Sequence, residues 1–268
     1  MKPMSFEETK QVELEILTNV AEFCDKHEIQ YFLAYGTLIG AVRHKGFIPW
    51  DDDIDIWMPR ADYYRFLEIY NKENLDSKYK AISPYDKISR HSFVKVIDTR
   101  TAKIESGIDY SNGYLGVDVD VFPLDGQPDN DKDFSKWYNK LQKYYKIYTY
   151  LILDKQGSLK KKIALFFIRF FSGEKKRVLI KTAKLHKKYP YETSLYVGAV
   201  ESCYNFINNH YKKEWFSDFI MADFENLKFK IPVGYDEILT QMYGDYMQLP
   251  PIEKQVTHHS NNTYWLED

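Results

Sequence analysis

Apolar positions along this chain fall first into a helical period and then into short strand-like runs. From Ser5 to about His27, Leu14, Leu17, Ala21 and Cys24 share one face, and Ser5 with Glu8 forms a capping box that marks the start of the helix. Tyr31–Ala34 reads as a short strand ending in Tyr-Gly-Thr. Thr37 then opens a short helix, Leu38 to Arg43, closed by a turn at Lys45-Gly46. Ile54–Met58 is a second strand, and Pro59 to Asp62 starts a helix carrying Tyr63, Phe66, Leu67 and Tyr70. Phe93–Asp98 and Ala102–Glu105 read as a strand pair, and Gly116–Phe122 alternates as a strand with one carboxylate-bearing face. Beyond Asp129 the texture changes to long Lys- and Tyr-rich helical segments. Phe219–Ile231 then reads as a hairpin and Tyr235–Tyr243 as a helix. The expected class is α+β, with a catalytic core at 1–128, an α-helical insertion or lobe at 129–215, and a segment at 216–268 that packs back on the core.

Composition narrows the class without naming a function. The 268 residues are 44% hydrophobic and 28% charged, enough to bury a core, and the net charge of −2 supplies no overall drive toward nucleic acid. The two cysteines, Cys24 and Cys203, have no metal-ligand spacing and read as buried thiols. The N-terminus lacks the apolar stretch of a signal peptide, and no apolar run approaches the roughly 20 residues of a membrane span, so the expected compartment is the cytoplasm.

The chemistry concentrates in one segment, Gly36 to Ile56. Residues i and i+2 of a strand point the same way, so Asp53 and Asp55 aim two carboxylates at one place while Ile54 and Ile56 face the core. Such a pair repels unless a cation lies between its members, and an all-oxygen donor set suits Mg²⁺ or Mn²⁺. Asp118 and Asp120 share a face of the later strand, and either supplies a third carboxylate. Three carboxylates on two neighbouring strands can hold metals that clamp the oxygens of a phosphoryl transfer. Gly36-Thr37, a glycine turn entering a helix, suits a phosphate, with Thr37 as a plain N-cap the simpler reading. Arg43, His44 and Lys45 follow within two turns, and Lys95 lies on a strand that can point into the same cleft.

These residues resemble the LicD family of the nucleotidyltransferase superfamily, related to the fukutin proteins. The resemblance rests on Gly36-Thr37-Leu38-Ile39-Gly40-Ala41-Val42-Arg43-His44-Lys45-Gly46-Phe47-Ile48-Pro49-Trp50-Asp51-Asp52-Asp53-Ile54-Asp55-Ile56. It continues at Val119-Asp120-Val121-Phe122-Pro123-Leu124-Asp125, at Tyr243-Gly244-Asp245-Tyr246 through Leu249-Pro250-Pro251, at Glu253-Lys254, and at His258-His259. It implies a nucleotidyltransferase-like core, a mixed β-sheet flanked by helices. It makes Asp53, Asp55 and Asp120 the metal ligands, with Asp118 the less favoured third. Asp51 or one of the ligands would take the acceptor proton, and Gly36, Thr37, Arg43, His44, Lys95 and His258 would bind substrate. The activity it implies is transfer of phosphocholine from CDP-choline to a sugar hydroxyl of a cell-surface glycan or teichoic acid precursor, releasing CMP. Transfer of ribitol phosphate from another CDP-alcohol, or of a nucleotide, is the alternative. A non-catalytic binding protein has no need of three converging carboxylates.

Two further features bear on partners. Trp50, Tyr85, Trp137, Tyr243 and Trp265 offer faces for a quaternary ammonium. The segment 158–188 carries 11 Lys or Arg and one acid around an apolar run. It reads as a peripheral contact with the inner face of the membrane, suited to a lipid-linked acceptor.

Overall fold

In the computed structural model, residues 1–75, 77–104, 113–152, 163, 166, 167, 170, 174–201, 209–256 and 262–266 are described. Strand β1 (Lys2–Pro3) leads into helix α1 (Phe6–Lys26), whose predicted capping box is formed. The Glu8 amide donates to Ser5 Oγ at 3.1 Å and the Ser5 amide donates to the Glu8 carboxylate at 2.8 Å, which satisfies two otherwise orphaned donors. After β2 (Phe32–Leu33), the five-residue helix α2 (Tyr35–Ile39) runs into a π-helical turn, Gly40–His44. The helix therefore begins three residues before the expected Leu38, with Ala34 rather than Thr37 at its N-cap. Thr37 thus lies inside the helix, and its hydroxyl accepts the Asp55 amide at 2.9 Å.

Strand β3 (Asp55–Pro59) passes directly into α3 (Arg60–Glu73), followed by β4 (Tyr79–Ile82), β5 (Val94–Asp98), β6 (Thr101–Ile104) and the ten-residue β7 (Asp118–Gln127). Helices α4 (Asp131–Ile152) and α5 (Lys175–His186) come next, then β8 (Tyr196–Gly198) and β9 (Tyr211–Lys212). The chain ends with the hairpin β10 (Phe219–Phe224) and β11 (Leu227–Pro232), helix α6 (Tyr235–Tyr243) and β12 (Asn262–Trp265).

The main sheet has the order β2-β3-β7-β5-β4, with β8 on the far half of β7 and β9 beyond it. Only β3 and β7 run parallel within it, so the sheet is mixed and the fold is α+β, as expected. The expected pairing of Phe93–Asp98 with Ala102–Glu105 does not occur. Strand β5 lies between β7 and β4, whereas β6 belongs to a separate sheet of order β1-β12-β6. The segment entering β7 wedges the two apart. The Asp98 amide donates to the Val117 carbonyl at 2.9 Å, and the Val117 amide donates to Thr101 Oγ1 at 2.8 Å. Gly116 sits so tightly there that a Cβ would come within 2.1 Å of the Asp98 carbonyl oxygen.

Helices α1 and α3 pack on the main sheet over a core in which Ile16, Leu17, Phe32, Ile54, Ile56, Trp57, Phe66, Val119 and Val121 are fully buried. Helices α4 and α5 carry a smaller core of Phe134, Trp137, Leu141, Tyr145 and Leu185. Cys24 is buried, as expected, and Cys203 lies outside the described residues. Among the described residues, no helix is long and apolar enough to cross a membrane.

Candidate active site

Register across the central strands sets the site. Asp55 of β3 stands opposite Asp120 of β7, and Asp120 stands opposite Lys95 of β5, so three charged residues form one row across the sheet. The next row is aromatic. Trp57 pairs with Phe122, whose ring lies 4.3 Å from that of Phe93, and the Tyr35 ring covers both at 4.9 and 5.4 Å. Tyr35 holds this place with a left-handed φ of +46°, a conformation that costs a non-glycine residue about 1–3 kcal/mol and persists only where packing enforces it. Its hydroxyl is anchored by the Asn209 amide at 3.0 Å. The aromatic row excludes water from one side of the charged row, and that lowers the effective dielectric around the carboxylates.

The carboxylates respond to that setting. Burial, reinforced by Asp53, Asp120 and Asp51, pushes the Asp55 carboxyl well above the usual range, against the pull of Lys95. Burial and Asp118 push Asp120 up to about 7, again against Lys95. Asp118 behaves in the opposite way. Burial works against its charge, but Lys103 and Lys95 outweigh it and hold the carboxyl well below the usual range. Lys95 bridges Asp118 and Asp120, 2.5 Å from the latter, while Lys103 Nζ lies 3.0 Å from the other Asp118 oxygen. Asp118 is thus neutralised by two ammonium groups, and Asp120 is the β7 carboxylate that faces Asp55. Five carboxylates, Asp51, Asp53, Asp55, Asp118 and Asp120, gather here with two lysines among them. That surplus of negative charge, all on oxygen donors, fits a hard divalent cation.

The remaining expected site residues are placed as follows. Asp53 lies two residues before β3, in the segment leading into it. Gly36 is required by close approach. A Cβ there would stand 2.6 Å from Asp51 Oδ2, so the space over Gly36 is taken by the Asp51 carboxylate. Thr37 is buried, and its hydroxyl ties α2 to the first amide of β3. Arg43 extends toward the C-terminal segment. It donates to the Tyr246 carbonyl at 2.5 Å and the Gln248 carbonyl at 3.4 Å, and its Nε donates to His44 Nε2 at 2.9 Å. The Tyr-Gly-Asp-Tyr block is therefore fastened to the π-helical turn through Arg43. Burial lowers the pKa of His44, and Arg43 adds to the effect. His258 lies outside the described residues.

Sequence reasoning passed over Lys103 and Glu13. Glu13 is fully buried in α1, and neither carboxylate oxygen finds a hydrogen-bond partner among the described residues. Burial raises its pKa well above the usual range, against the pull of Lys103. The available signal was an acid inside the apolar stripe of an amphipathic helix. A second charged cluster joins α3, β7 and the helical segment. Asp125, His186 and Glu201 bring ligand atoms within 4.8 Å of one another and so could hold a metal ion. Their oxygens are already occupied by Arg60, which donates two hydrogen bonds to Asp125 and one to Glu201 at 2.5 Å. His186 Nδ1 lies 2.8 Å from Asp125, and the Tyr145 hydroxyl donates to Glu201 at 2.6 Å. A guanidinium in that position takes the place of a cation.

With this geometry in hand, known proteins give a consistent result. Residues 28–152 match the sequence profile described as LicD/FKTN/FKRP, nucleotidyltransferase domain. Over 276 aligned residues, 99% of this chain and the whole of the relative, the sequence is 34% identical to a lipopolysaccharide cholinephosphotransferase LicD of Haemophilus influenzae. The chain belongs to the LicD family. Uncharacterized proteins of Rickettsia typhi and Rickettsia prowazekii are 42% and 40% identical over 55 residues, about a fifth of each chain. The matched span of this LicD-family protein contains β3, β5 and the whole of β7, the strands that build the charged row.

Proposed function

We propose that this protein transfers phosphocholine from CDP-choline to a sugar hydroxyl of a cell-surface glycan or teichoic acid precursor, releasing CMP. The observation that carries the reading is the Asp55–Asp120 pair, set in register on parallel strands beside Asp53, in a chain similar along its whole length to a lipopolysaccharide cholinephosphotransferase. Asp53, Asp55 and Asp120 would hold Mg²⁺ or Mn²⁺, which supplies neutralisation of the pyrophosphate and of the charge that builds on the leaving phosphate. The acceptor oxygen forms a bond to the choline-bearing phosphorus, and the bond from that phosphorus to the oxygen of CMP breaks. The acceptor proton passes to a carboxylate of the cluster, and our candidate is Asp51, whose carboxylate lies against Gly36. Lys95 pairs with both Asp118 and Asp120, and its charge offsets part of the repulsion at Asp55.

The test is product analysis with choline-labelled CDP-choline, an acceptor glycan and Mg²⁺ or Mn²⁺. Label on the glycan with free CMP supports the reading, whereas a CMP-bearing acceptor makes the protein a nucleotidyltransferase. Asp53→Asn should abolish turnover and leave the folded structure intact.

A lipid-linked acceptor fits the exposed apolar residues of the basic segment. Ile163, Phe166, Phe167 and Phe170 recur at the spacing of one helix face, and all four are exposed. The surrounding stretch 158–188 is strongly basic, which suits the anionic inner leaflet. Sedimentation with vesicles rich in anionic lipid, but not with neutral ones, is the expected outcome.

A further inference from the structure

A small pocket lies where the three-stranded sheet meets the acidic segment. It has a volume of about 190 Å³, and its walls include Thr9, Asp52, Lys103, Asn262, Thr263 and the ring of Tyr264. It shares two walls with the active site. Asp52 is flanked in the chain by Asp51 and Asp53, and Lys103 is the ammonium group that, with Lys95, holds Asp118 beside Asp120.

The lining decides what fits. Thr9 Oγ1 donates to the Ser5 carbonyl at 3.1 Å and lies 2.7 Å from Thr263 Oγ1. With the Thr9 proton so used, the Thr263 hydroxyl donates to Thr9, and its lone pairs are left to accept from a ligand. Asn262 offers both a donor and an acceptor. With Asp52 and Lys103 both in the lining, a phosphate is disfavoured beside the one and a quaternary ammonium beside the other. A neutral ring bearing hydroxyl groups satisfies both, and its C–H face can lie on Tyr264 or Phe6. The volume is below the ~300 Å³ at which pockets for drug-sized molecules begin, too small for a nucleotide and suited to one sugar ring.

We infer that this pocket between β1, β12, β6 and Asp52 is the acceptor subsite, which seats a single neutral sugar residue beside the carboxylate cluster. The inference rests on the phosphocholine-transfer reading for the word acceptor, but the pocket's affinity for a sugar can be measured without turnover.

The experiment is saturation-transfer NMR of the full chain with methyl glycosides of glucose, galactose and their N-acetylhexosamine counterparts as probes. It is run on the wild type, Thr263→Trp and Asn262→Ala, with CDP-choline hydrolysis measured in parallel. At least one glycoside should bind the wild type. Thr263→Trp fills the pocket and should abolish that binding. Asn262→Ala, at an exposed strand position that tolerates truncation, should weaken it about fivefold, the loss of one neutral hydrogen bond, and decides the matter if the tryptophan variant does not fold. Donor hydrolysis should persist in both variants. Absence of glycoside binding to the wild type, or undiminished binding to folded variants, overturns the inference. Failure of the wild type to hydrolyse CDP-choline counts against the transfer reading instead and leaves the glycoside result standing.

Discussion

Replacing Thr37 by valine isolates what holds the strand that carries Asp55 in place. The Thr37 hydroxyl is buried and accepts the Asp55 amide at 2.9 Å, the hydrogen bond that starts β3. Valine matches the shape but cannot accept, so the amide is left buried and unpaired, which costs about 1–3 kcal/mol. In a chain of this size each kcal/mol moves the melting temperature by roughly 2–4 °C, so a fall of roughly 2–12 °C is expected. Asp55 carries its carboxylate on that same residue. A shift approaching ~1 Å at a reacting group costs about a hundredfold in rate, and turnover should drop by about ten- to a hundredfold. Thr37→Ser keeps the acceptor and loses one methyl, worth about 0.8 kcal/mol, so it should retain most of the activity while melting slightly early. Calorimetry and CMP release from CDP-choline read the two effects separately. The reasoning fails if Thr37→Val melts like the wild type, or if Thr37→Ser loses as much turnover as Thr37→Val.

Other consequences follow from the same geometry. Gly36→Ala forces Asp51 away from a contact that would otherwise be 2.6 Å, so turnover should fall about tenfold with little change in melting; unchanged turnover would remove Asp51 from the mechanism. Arg60→Met strands Asp125 and Glu201 as buried charges and should destabilise by about 3–5 kcal/mol in urea titrations, whereas a loss under about 1 kcal/mol would mean the cluster is well solvated. For pH, Asp120 is raised to about 7 and Asp55 is raised well above the usual range, against an unfolded value near ~4. Between those values the folded state keeps protons that the unfolded state has lost, so this stabilisation is complete at low pH and disappears as pH rises through about 7. A divalent cation binds the ionised carboxylates. Mg²⁺ or Mn²⁺ should therefore raise the melting temperature more at about pH 8 than at about pH 5.5. An equal shift at both would show that these carboxyls are not the ligands.

Much of this protein is legible along the chain, because its signals are local. The capping box at Ser5 and Glu8, the hairpin at Phe219–Ile231 and helix Tyr235–Tyr243 depend on residues a few positions apart. Asp53 and Asp55 stand out in the sequence by their spacing of two among apolar residues, but only Asp55 lies in β3, so strand geometry fixes the direction of that one alone. Tertiary structure alone decided which acid of β7 faces them. Asp118 and Asp120 are equivalent in the alternating pattern, and only the register beside β3, with Lys95 and Lys103 converging from β5 and β6, neutralises one and leaves the other opposite Asp55. The same limit hid the true partners of β5 and β6. A two-residue link between strands predicts a hairpin, and nothing local says that Gly116 and Val117 will wedge it open. Periodicity tells each side chain which way to face, but its electrostatic company arrives from strands dozens of residues away. That company gives two carboxylates of the same strand opposite charge environments.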